Sequence, residues 1–148
     1  MSKPRLVFKV EGSEELVRRF NAIATKKAQE TKDAIKETAL NVQKKAKKRA
    51  PVDNGHLRAS IKLKPHQSGF SIDVGSELPY AVYQEWGTGI FANHPSISGR
   101  KTPWVYKSPK TGEFVFTRGN KPQPFLHPAF ESEKPEYIRR INKIFKSL

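Results

Sequence analysis

Four histidines, one isolated glutamate and a run of cations are the side chains with most chemistry to offer in this 148-residue sequence. A zinc site or an acid–base pair built on His56, His66, His94 or His127 needs a second ligand at helical spacing or a partnered acid, and none of the four has either. Glu85 is the one acid in the aromatic-rich stretch Tyr80–Thr88. With no acid partner nearby, it predicts a carboxylate satisfied by a hydrogen bond or ion pair rather than a catalytic one. Ser60, Ser96 and Ser98 lack the strand–turn–helix context of an activated nucleophile. The glycines form neither a phosphate-cradling loop nor a dinucleotide fingerprint. The absence of cysteine removes thiolate metal sites and disulfides. The expectation is a protein that is not an enzyme and that uses no cofactor and no metal.

The cations carry the other candidate chemistry. The formal net charge is +14, and the first 50 residues hold 14 basic against 6 acidic side chains. Lys44, Lys45, Lys47, Lys48 and Arg49 crowd into six positions. Such a cluster predicts contact with a polyanion, either nucleic acid or an acidic protein surface. It also has a local reason: cations at a helix C-terminus complement the macrodipole. No helix-turn-helix, zinc-finger or aromatic RNA-binding signature accompanies it.

The elements that must position these groups are legible in outline. Leu6, Phe8 and Val10 alternate with Val7 and Lys9, which predicts a short strand. Ser13 before Glu14 and Glu15 predicts a helix start, and Thr25 a second cap. Ala28, Ile35, Ala39, Val42 and Ala46 then trace a narrow apolar stripe along a long basic helix over 26–49. Pro51 stops it, and the Asp53-Asn54-Gly55 turn leads to a single helical turn anchored by Leu57 and Ile61. Two alternating runs, 61–64 and 70–74, predict a hairpin with one apolar face. Tyr80–Thr88 predicts one or two helical turns ending near Gly87. A loop follows, then a second hairpin around Ser108–Gly112. Phe125, Leu126 and Phe130 predict buried positions, and Ser132 with Pro135 predicts the start of a C-terminal helix. The length suits one α+β domain spanning 1–148, a small antiparallel sheet on one long helix, with a loop and hairpin inserted at about 89–121. No apolar run is long enough for a membrane span, and no signal-peptide core follows Met1.

Three blocks in order resemble a known family. They are 49–61 (Arg-Ala-Pro-Val-Asp-Asn-Gly-His-Leu-Arg-Ala-Ser-Ile), 80–88 (Tyr-Ala-Val-Tyr-Gln-Glu-Trp-Gly-Thr) and 122–129 (Pro-Gln-Pro-Phe-Leu-His-Pro-Ala). The pattern is similar to that of the small neck or tail-component proteins of long-tailed bacteriophages, also called head–tail joining or tail-completion proteins. Asn54 stands where that pattern has Thr. The resemblance implies a virion protein, made in the bacterial host cytoplasm, that works by ring assembly with other neck and tail proteins, six-fold by analogy. It implies no catalytic residues. It gives the cations of 44–49 a lumen face meeting genomic DNA. It also casts Pro51, Asp53, Gly55, Leu57, Ser60, Tyr80, Tyr83, Glu85, Trp86, Gly87, Pro124, Phe125, Leu126 and Pro128 as packing or subunit-interface positions.

Overall fold

The computed structural model describes residues 12–53, 55–97 and 99–147. The strand expected over Leu6–Val10 lies outside them. Helix α1 runs unbroken over Ser13–Arg49, about 55 Å at 1.5 Å per residue. The break expected at Thr25 does not occur. No Gly or Pro interrupts this stretch, and Thr31 and Thr38 each turn their hydroxyl back to donate to the carbonyl four residues earlier. At the helix start, Gly12 rather than Ser13 takes the flanking position, and Glu14 and Glu15 fill the first turn.

Ala50 adopts an extended conformation ahead of Pro51, which ends α1. Helix α2 (His56–Ser60) follows from Gly55, whose φ of 72° suits a residue without Cβ. Strands β1 (Lys62–Pro65) and β2 (Ile72–Gly75) pair antiparallel with Leu63 opposite Val74 and Pro65 opposite Ile72. That register places Leu63, Ile72 and Val74 on one half-buried face, and the hairpin packs on α1. Phe70, expected in the second strand, lies in the turn, with the Lys32 ammonium 4.9 Å from its ring centre. Helix α3 (Ala81–Trp86) and a 3-10 turn at Gly89–Phe91 lead to a second antiparallel pair, β3 (Trp104–Lys107) and β4 (Phe114–Thr117).

Helix α4 spans His127–Lys146 and lies antiparallel along α1. Lys27 meets Ser147 at one end, and Lys45 meets Ser132 and Glu133 at the other. Its start precedes the expected one near Ser132, and Pro135 lies inside it. The reason is a cap supplied from α3, described below. The fold is α+β: a long helix carrying a small antiparallel sheet, a C-terminal helix, and a separate hairpin. The core gathers Val42, Ala46, Ala50, Leu57, Ile61, Ala81, Phe125 and Ala129. Among the described residues no helix is long and apolar enough to cross a membrane.

Candidate functional site

The three sequence blocks meet at the C-terminal end of α1. Ala50, Leu57 and Ile61 come from the first block, Ala81 from the second, and Phe125 and Ala129 from the third. All lie in the core against Val42 and Ala46 of α1. The small side chains at 46, 50, 81 and 129 let backbones approach, and Phe125, 2% exposed, fills the space between them. Gln43 on α1 donates to the Ile61 carbonyl at 2.8 Å, tying the turn to the helix. Ser60 donates to the Leu57 carbonyl at 2.7 Å, and its oxygen lies 2.6 Å from that of Ser76, joining α2 to the segment before α3.

Glu85 organises the junction. It is buried, and its carboxylate accepts three backbone N–H bonds: from Phe125 at 2.8 Å, Leu126 at 2.9 Å and His127 at 2.7 Å. These donors need such a partner. The first N–H groups of a helix have no acceptor within it, and no side chain of α4 caps its own start. Pro128 in the first turn contributes no N–H that would need satisfying. A carboxylate also lies on the favourable side of the helix dipole. The hydrogen-bonding role expected of Glu85 is this cap, whose donors sit 40 or more residues downstream.

The flanking residues lock α3 to the third block. Gln84 accepts from the Gln123 N–H at 2.8 Å through its carbonyl and donates its side-chain amide to Gln123 Oε1 at 2.7 Å. Thr88 and Asn120 exchange two bonds, 2.9 and 2.8 Å. Gly87 ends α3 at φ 78°, and a Cβ there would stand 2.9 Å from the Asn120 and Phe91 carbonyl oxygens. A side chain at 87 would therefore pry the two segments apart. The Trp86 ring makes tilted contacts with His94, ring centres 4.8 Å apart, and with His127, 5.6 Å apart.

The remaining motif residues divide by exposure. Leu57, Glu85, Gly87 and Phe125 are buried, while Pro51, Gly55, Ser60, Trp86, Leu126 and Pro128 are half-buried. Asp53, Tyr80, Tyr83 and Pro124 face outward. Of the expected packing or subunit-interface positions, Tyr80 and Tyr83 thus lie outside the core that holds Phe125. Phe130, expected inside, is also exposed, on the rim of an apolar cleft of about 590 Å3.

The cation cluster is not uniform either. Lys45 turns along α4 and pairs with buried Glu133 at 2.6 Å, with Ser132 at 3.2 Å. The Lys45 hydrogen bond and charge hold the Glu133 carboxyl below the usual carboxylate range. Asn41 and Arg140 add to this, and burial opposes it. Lys44, Lys48 and Arg49 are exposed and Lys47 is half-buried. The Lys45–Glu133 tie is not legible in the sequence, because the partners lie on different helices. The one available signal was an acid on the apolar side of α4.

What this arrangement does chemically is to hold segments together. Among the described residues no group of three metal-ligating side chains converges. No curated protein and no solved structure matches the chain. A family match does exist: residues 14–87, half of the chain, match the family described as "Bacteriophage HK97-gp10, putative tail-component". That span contains α1, the Pro51 turn, the first hairpin and α3 with Glu85; the block at 122–129 lies outside it. The chain belongs to the HK97-gp10-like family, a bacteriophage tail-component family, and so to the proteins of the virion.

Proposed function

We propose that this protein joins head to tail or completes the tail, assembling as a ring at the phage neck with other neck and tail proteins. The observation that carries the reading is the family match over α1 to α3, which covers the first block and all of the second but Thr88. The junction supports a structural rather than a catalytic role, since its one buried carboxylate in the motif blocks is occupied as a helix cap. A six-fold ring is the stoichiometry argued by analogy. The span 89–121, which includes β3 and β4, is read as an insertion that differs between members. Particles made without the protein should accumulate as separate heads and tails in negative stain, and complementation should restore joined particles. Complete, infectious particles lacking the chain would overturn the reading.

A second reading rests on the exposed cations at the end of α1. Lys44, Lys48 and Arg49 would meet genomic phosphate non-specifically, on a lumen face of the ring or in a basic DNA-binding domain acting alone. Lys45, committed to Glu133, is not expected to contribute. The measurement is DNA affinity against salt. The logarithmic slope should flatten by roughly 0.9 for each phosphate contact removed when these three are neutralised. No binding at moderate salt would reject DNA contact and leave the ring reading standing.

A further inference from the structure

The apolar stripe of α1 outruns the elements that cover it. Leu16, Phe20, Ala24, Ala28, Ile35 and Val42 follow one another at spacings of four and seven and so share one face of the helix. Toward the C-terminal end, the β1–β2 hairpin and α4 pack on α1, and Ala39 and Val42 are buried. Among the described residues α4 reaches back only to Lys27, where Ser147 meets it. Ahead of that point Leu16, Val17, Phe20 and Ile23 are exposed, Phe20 at 63%. The bare stretch, Ser13 to Lys27, is about 21 Å long. Its inner end opens into a groove of about 580 Å3, framed by Phe20, Ile23 and Ala28 of α1, Phe70 of the hairpin turn and Phe145 of α4. A helix face this apolar is one that folding lays against another element.

The chain just ahead of α1 carries a matching pattern. Leu6, Phe8 and Val10 alternate with Val7 and Lys9. In an extended chain such side chains recur about every 6.6 Å on one face. Along α1, Leu16, Phe20 and Ala24 recur about every 6 Å. Counted back from Gly12, an extended chain puts Val10, Phe8 and Leu6 at about 7, 13 and 20 Å. Counted forward from Gly12, Leu16, Phe20 and Ala24 lie at about 6, 12 and 18 Å. Gly12 itself sits at φ 109°, a corner that residues with a Cβ rarely adopt and from which the preceding chain can turn back along the helix.

We propose that residues 6–10 double back at Gly12 and lie extended along the first turns of α1 in the same chain. Val10 then meets Leu16, Phe8 meets Phe20, and Leu6 meets Ala24 at the mouth of the groove. The tether favours this occupant over a second copy. A segment joined directly to the helix acts at an effective concentration in the millimolar range. Two copies, each at net charge +14, repel one another. The packing is internal to one chain, so it stands or falls separately from the ring reading.

The sequence has no cysteine, so introduced thiols report alone. Ala24→Cys, on the stripe, and Ala22→Cys, on the opposite face of α1, would be labelled with a maleimide. Each would be placed in the otherwise wild-type chain and in one also carrying Leu6→Ser, Phe8→Ser and Val10→Ser. The triple change should speed labelling at 24 several-fold and leave the rate at 22 unchanged. A short bis-maleimide should also close Leu6→Cys with Ala24→Cys within one chain, several-fold faster than Leu6→Cys with Ala22→Cys.

Equal labelling at 24 in both backgrounds overturns the packing. So does an equal rise at 22 and 24, which would mean that the segment acts on the helix as a whole. Protection at 24 that grows with protein concentration, or links between chains in excess of links within one, would assign the stripe to a second copy and overturn it as well.

Discussion

The junction under α4 and the β3–β4 ribbon treat their exposed chemistry in opposite ways. At the junction, a buried carboxylate meets three backbone donors, and Phe125 fills the space between four small residues. Every buried side-chain polar atom among the described residues has a partner. On the ribbon, the most apolar side chains face outward from a strand pair too short to hold them rigidly. One region completes its interactions within the chain; the other, among the described residues, turns its apolar side chains outward. Burial is therefore a guide to role here: changes at the junction should be read in stability, and changes on the ribbon should leave it intact.

The largest effect should follow Phe125→Ala, which leaves a cavity among residues unable to collapse into it. A loss of about 3–5 kcal/mol in urea unfolding is expected. A loss below 1 kcal/mol would break the comparison at its strongest point. Glu85→Ala comes next. It strands buried N–H donors and removes a charged cap, for about 3 kcal/mol by the same measurement. Hydrogen exchange should locate the damage in the first turn of α4.

A smaller, pH-dependent effect belongs to Glu133. Its carboxyl is held below the usual range in the folded state, so its stabilising contribution is fully present above the unfolded carboxylate pKa and fades as pH falls through the folded value. The melting temperatures of the wild type and Glu133→Gln should differ at neutral pH and converge in acid. A constant gap would show that Lys45 does not govern the site. The smallest effect should be Phe116→Ser, within about 0.5 kcal/mol of the wild type. A loss comparable to that of Phe125→Ala would show that the ribbon belongs to the core.

The features legible in the sequence were those written locally. The Pro51 stop, the Gly55 turn, the Leu57–Ile61 anchor and the short α3 ending at Gly87 each depend on neighbours within a few residues. The start of α4 was misplaced because its cap comes from Glu85, far back in the chain. Thr25 read as a cap because the residue type favours caps, yet the helix on both sides carries through it. Phe130 reads as core by type, but exposure depends on which face the distant elements leave open. Lys45 looked like its neighbours until α4 placed Glu133 beside it.

The paired bonds between Thr88 and Asn120, with Ile90 donating to the Arg118 carbonyl, pinch the chain where the ribbon departs. A loop closed at its base is thermodynamically modular. Doubling the length beyond such a clamp adds only about 0.6 kcal/mol of closure entropy. Glu85 and its donors sit below the clamp, and the ties above it stay near its base: Trp86 contacts His94 and accepts from the Asn93 N–H. The segment beyond can therefore be lengthened, shortened or exchanged as a cassette, giving one framework a means to fit different neighbours.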